Sequence, residues 1–163
     1  MIEIKEKRII YYGFGKNKFG ELGLGDSEIK KNPQKINWFK NNKIKIKKIY
    51  LGFYYYHYGS FDEEENYSFS LFLSSKGELF KIGKSYFNCE NEENKNNNDN
   101  NEKEKEKIFL IPNKIKFPEK ILKLSLGYNF LFIITQNKKV YSIGNNSFGQ
   151  LGFGNQNNSF FKE

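Results

Sequence analysis

One phrase occurs twice in this chain of 163 residues and limits the fold more than any other feature. Tyr12 to Asp26 reads YGFGKNKFGELGLGD, and Tyr141 to Asn155 reads YSIGNNSFGQLGFGN. At a constant offset of 129 residues, Tyr12, Gly15, Asn17, Phe19, Gly20, Leu22, Gly23 and Gly25 all recur. Glu21 is matched by Gln150, Leu24 by Phe153 and Asp26 by Asn155. A worn middle copy, Leu79 to Asn88, matches Val140 to Gly149 at an offset of 61. There Asn88 stands in the place of Gly149, and Cys89-Glu90-Asn91-Glu92 replaces the Gln-Leu-Gly-x-Gly part. The stretches between the copies repeat as well. Pro33-Gln34-Lys35-Ile36 resembles Pro112-Asn113-Lys114-Ile115, and Lys45 to Gly52 resembles Lys120 to Gly127 at an offset of 75. Once two insertions are removed, the period is about 50 residues, which belongs to propellers and solenoids.

Each unit reads as strands. Ile44, Ile46 and Ile49 alternate with lysines, and Ile121, Leu124 and Leu126 continue that theme. Phe69 to Leu73 and Phe130 to Ile134 are short apolar runs. Each meets a turn, Ser74 to Gly77 or Thr135 to Lys138, and resumes as a second strand, Glu78 to Ile82 or Lys139 to Ile143. The chain starts at a further motif strand, Arg8 to Phe14. No segment sustains a 3.6-residue period, so no long helix is expected.

The glycines do not suit a phosphate cradle. Gly15 and Gly20 have Walker spacing, but Glu21 and Leu22 follow where Lys and a hydroxyl residue are required. The dinucleotide fingerprint fails from Gly13, because position 18 is Lys. Glycine tolerates positive φ and close backbone approach. Gly15, Gly20, Gly23, Gly25, Gly83, Gly144, Gly149, Gly152 and Gly154 are therefore read as strand corners, with Leu22 and Leu151 anchoring inward.

This pattern resembles the regulator of chromosome condensation repeat family. Its signature is an apolar strand ending in Trp/Phe-Gly, then Asn-x-x-Gly-Gln-Leu-Gly-x-Gly-Asp, a Pro, a strand ending in Gly and a returning hairpin. The first and third copies match closely, and the second only in its strands. A kelch repeat would want a Gly-Gly doublet and a WD40 repeat its Trp-Asp pair, and neither occurs. The resemblance implies an all-β fold, a propeller of four-stranded antiparallel blades spanning residues 1–163. With about three blades where the family has about seven, the propeller is incomplete. Remaining blades or a second copy would be needed to complete the ring.

Composition narrows the function. The net charge is +8, yet Arg8 is the only Arg, the residue that grips guanine and phosphate bidentately. Ala is absent and Val140 is the only Val, so the abundance of Lys, Asn, Ile, Phe and Tyr reads as compositional bias. With Cys89 the only cysteine and His57 the only histidine, no disulfide framework, metal constellation or multi-histidine catalytic set is expected. No catalytic residue and no cofactor is assigned. Met1 to Arg8 lacks a secretory apolar core, and no apolar run is long enough to span a bilayer, so an intracellular protein, cytoplasmic or nuclear, is expected.

Two insertions interrupt the period. Residues 89–107 lack aromatic and aliphatic side chains and are expected to be a disordered low-complexity loop. Residues 53–67 are expected to be an insertion loop carrying Tyr54, Tyr55, Tyr56, His57 and Tyr58, candidate contacts for a protein partner. The expected function is a protein-interaction module, with a small GTPase as one partner the family resemblance implies. Guanine-nucleotide exchange on a Ran-like GTPase is the alternative. Chromatin association through Lys43 to Lys48 is a second alternative, set against lysines that simply blunt a strand edge.

Overall fold

The computed structural model describes residues 9–57, 64–85, 108–128, 130–154 and 159–162. Strands β1 (Tyr12–Gly15) and β2 (Lys30–Lys35) form a two-stranded sheet. Strands β3 (Ile46–His57), β4 (Glu64–Ser74), β5 (Leu79–Lys84) and β6 (Phe109–Ile115) form a second sheet in sequential order. Strands β7 (Ile121–Leu126), β8 (Phe130–Thr135), β9 (Val140–Gly144) and β10 (Ser159–Lys162) form a third, again sequential. Every pairing is antiparallel. These are propeller blades, as expected. The motif strands β1, β5 and β9 match in sequence, so the first sheet corresponds to the third and fourth strands of the others. Pro33 and Pro112 sit in β2 and β6, the last strands of their sheets, where a missing N–H costs least.

The blades stack through two apolar clusters. Leu71, Leu73 and Leu79 of the second sheet meet Leu124, Leu131, Ile133 and Ile143 of the third. Phe72, Phe80 and Ile82, on the opposite face of the second sheet, meet Ile36 and Phe39. This explains the unbroken run Phe69 to Leu73: both faces of β4 are covered, so alternation with polar residues is lost. Side chains of this size contribute roughly 1.5–3 kcal/mol each when fully buried.

The crossing from one blade to the next is plugged by aromatics. A single helical turn, α1 (Trp38–Asn41), drives the fully buried Phe39 against Phe72 at 4.7 Å between ring centroids, and Trp38 stands edge-on to Phe80 at 5.6 Å. At the next crossing Phe117 stands edge-on to Tyr141, the repeat equivalent of Phe80, at 5.1 Å. Similarly, Phe69 lies over Gly52, and Phe130 lies over Gly127. Glycine at 52 and 127 leaves room for the ring.

Three expectations change. Residues 53–67 are not a loop. β3 and β4 continue in register through Phe53↔Ser68, Tyr54↔Tyr67, Tyr55↔Asn66, Tyr56↔Glu65 and His57↔Glu64. Aromatic residues favour a pleated strand, so the insertion lengthens the hairpin. The first motif strand begins at Tyr12 within the described residues. The alternation over Ile44 to Ile49 also breaks: a bulge between Ile46 and Lys48 leaves Ile46 buried and Ile49 exposed. The 89–107 insertion lies outside the described residues.

Candidate interaction surface

The glycine motif folds as two tight turns held by one buried asparagine. Gly20 N–H donates to Asn17 O at 2.9 Å and Gly23 N–H to Gly20 O at 2.9 Å. Inside them the Asn17 carboxamide accepts from Leu22 N–H at 2.9 Å and donates to Asp26 O at 2.8 Å. The third copy is built the same way: Leu151 N–H donates to Asn146 Oδ1 at 2.8 Å. Glu21 and Gln150 are interchangeable here because each offers a side-chain oxygen, to Phe19 N–H and Phe148 N–H respectively, both at 2.9 Å. Asn17 and Asn146 are fully buried and carry the turn, yet the sequence reading gave structural weight only to the glycines and leucines. Their recurrence at the common offset was the available signal.

The nine motif glycines all have positive φ. Gly83 shows why at one of them. At φ 88° a Cβ there would collide with Ser68 O and come within 3.2 Å of Glu21 Cα, so motif backbone and sheet meet with no side chain between. Leu151 is buried as expected, whereas Leu22 is half-buried.

The first motif is seated on the second blade. Gly25 N–H donates to Leu110 O at 3.0 Å, Ser70 Oγ donates to Glu21 O at 2.8 Å, and a Cβ at Gly23 would lie 2.5 Å from Ile82 Cδ1. Asp26 closes the motif with an ion pair to Lys30 at 2.8 Å. The hydrogen bond from Lys30, above all, holds the Asp26 carboxyl below the usual aspartate range.

Tyr54, Tyr55, Tyr56 and His57 lie far from these turns, at the distal end of β3. β5 pairs with β4 only from Ser68 to Leu73, so residues 54–57 and 64–67 pair only with each other. They form a two-stranded arm leaving a four-stranded blade. The equivalent β7–β8 hairpin pairs no further than Leu126↔Leu131. Tyr58 lies outside the described residues. The lysines of Lys43 to Lys48 are exposed; Lys47 Nζ reaches Leu122 O at 3.4 Å, and Lys48 sits over the Tyr50 ring.

A cleft of about 660 Å³ lies where β6 crosses to β7, lined by Glu78, Lys114, Phe117, Glu119, Lys120 and Tyr141 among others. Its carboxylates are matched by lysines: Lys114 Nζ is 2.7 Å from Glu78, and Lys139 Nζ is 3.7 Å from Glu119. The Lys114 hydrogen bond chiefly lowers the Glu78 pKa, opposed by burial, and a hydrogen bond from Thr135 chiefly lowers that of Glu119. This is a neutralised network. No group of three or more metal-ligating side chains occurs among the described residues. Among them, too, no helix is long and apolar enough to cross a membrane.

Comparison with known proteins places this architecture. Two models described as the regulator of chromosome condensation repeat match residues 11–55 and 121–150. A secretion-regulating guanine nucleotide exchange factor from Bos taurus is 28% identical over 141 residues, covering 86% of this chain and 25% of the relative. Human WBSCR16 superposes with a TM-score of 0.60 at 17% identity, over 94% of this chain and 32% of that one. Prp20p from Saccharomyces cerevisiae, reported with its binding to Gsp1p and histones, also has a TM-score of 0.60, at 21% identity over 94% of this chain and 33% of that one. The chain thus spans a quarter of the curated relative and about a third of the solved structures.

Proposed function

This chain carries regulator of chromosome condensation repeats, and from that premise we propose that it is a protein-interaction module whose partner is a small GTPase. The β3–β4 arm carries the reading. It departs from the repeat only here, it places the aromatic run Tyr54 to Tyr56 on a two-stranded extension, and it has no counterpart on the third blade. The name of the exchange-factor relative and the Gsp1p binding of Prp20p supply the partner class. The arm would act as a rigid contact rather than a source of chemistry. No side chain is assigned a catalytic role.

Exchange activity is the second reading, favoured by that relative's name. It would need no catalytic side chain either. A protein that binds the nucleotide-free GTPase more tightly than the loaded one must, by reciprocity, loosen the nucleotide.

The test is a pull-down with a panel of purified small GTPases, nucleotide-free and loaded, followed by a fluorescent GDP-release assay on any that bind. Joint alanine replacement of Tyr54, Tyr55, Tyr56 and Tyr58 is expected to lower capture at least about tenfold, the usual effect of removing aromatic anchors. Undiminished capture by that variant would reject the arm as the contact. Capture without faster GDP release would leave the binding module and reject exchange.

A further inference from the structure

The blade stack has two uncovered ends, and the internal repeat makes them complementary. At the leading end, Tyr12 and Phe14 of β1 occupy the positions that Phe80 and Ile82 hold in β5. Ile82 is fully buried beneath the first motif, whereas Phe14 is 64% exposed. At the trailing end, Ile134 and Val140 hold the positions of Leu73 and Leu79. Leu79 is 1% exposed and Val140 53%. The third motif is folded like the first, but a Cβ built at Gly149, Gly152 or Gly154 would have nothing within 4 Å. It is a finished docking turn with nothing docked.

We propose that the chain self-associates head to tail, the third motif and third blade of one copy seating on the β1–β2 sheet of another. The template is the chain's own junction between the first motif and the second blade, which the trailing end repeats residue for residue. The choice of occupant rests on Lys138. It holds the corner that Gly77 holds in the second blade, with φ 66° against 75°. At Gly77 a Cβ would lie 2.8 Å from Ile121 O, because the first strand of the next blade runs past that corner and Ile121 N–H donates to Gly77 O at 2.9 Å. The Lys138 side chain therefore obstructs a blade that brings its first strand to the same place. The β1–β2 sheet corresponds only to the third and fourth strands, so it can meet the third motif and leave that corner clear. A copy of this chain fits where a four-stranded blade collides.

Sedimentation velocity on the 163-residue chain over a concentration series tests this. The wild type is expected to sediment as a dimer or larger. Phe14→Glu and Val140→Glu, both at exposed positions, should each weaken association at least about tenfold while keeping the β-sheet circular dichroism spectrum. An equimolar mixture of the two variants should restore a one-to-one pair, since one intact junction survives between the good trailing face of one and the good leading face of the other. A wild type that stays monomeric at every concentration overturns the proposal even if neither variant folds. Loss of association with Phe14→Glu but not with Val140→Glu points to pairing of leading faces and overturns it too, as does failure of the mixture to rescue.

Discussion

The first and third glycine motifs are the same object in two settings. Both pin two turns with a buried asparagine, both run through the same positive-φ glycines, and both use a side-chain oxygen at the Glu21 or Gln150 position. The first lies under the second blade; nothing lies over the third. The turn is therefore folded by its own hydrogen bonds. Docking adds packing to a shape that already exists. The same holds for the strands: Leu79 and Val140 are sequence equivalents, but only Leu79 has a blade against it.

That contrast can be broken at several depths. The largest expected effect is at the strands. Leu79→Ala should destabilise by about 2–5 kcal/mol by opening a cavity between blades. Val140→Ala should move the unfolding midpoint of the unassociated chain by about 0.5 kcal/mol at most. Equal losses in chemical denaturation would mean that the third blade is covered after all.

Next come the glycines. Gly20 and Gly149 share a φ of 73°, so both alanine variants carry the left-handed penalty of about 1–2 kcal/mol. At Gly20 the new Cβ would also lie 2.5 Å from Leu110 Cδ2 and 3.0 Å from Leu110 Cα. Gly20→Ala is expected to lose roughly 1–3 kcal/mol more than Gly149→Ala, the usual cost of overpacking. A matched pair with the same loss would place the cost wholly in backbone conformation.

The smallest effect is electrostatic and sits at the junction between the second and third blades. Glu78 and Glu119 have folded pKa values below the ordinary glutamate value of 4.5. A depressed folded pKa contributes stability above the unfolded value that is lost as pH falls through the folded one. The melting temperature should be flat from neutrality to about pH 5 and decline below about pH 4.5. Glu78→Gln should flatten that decline. An unchanged pH profile in the variant would mean that the Lys114 pair contributes nothing to the folded state.

How much of this could be read from sequence varies by residue. The repeat, the strands and the motif corners could be, because a recurring Gly-Phe-Leu spacing reflects a recurring backbone. The asparagine pins were visible as recurrences but not as hydrogen-bond centres, since spacing does not reveal which atoms a carboxamide reaches. The arm was misread as a loop. An insertion and a strand extension are identical in an offset count, and only the cross-strand register separates them. The first blade was expected to be four-stranded and has two strands among the described residues.

By itself the sequence determined the blade as a unit. Local turn chemistry and cross-strand pairing over a few tens of residues are encoded where they occur. What covers each blade was decided only in the tertiary structure. The equivalents Leu79 and Val140, or Gly20 and Gly149, have one local code and two fates, because burial depends on the neighbouring sheet and not on the residues being buried.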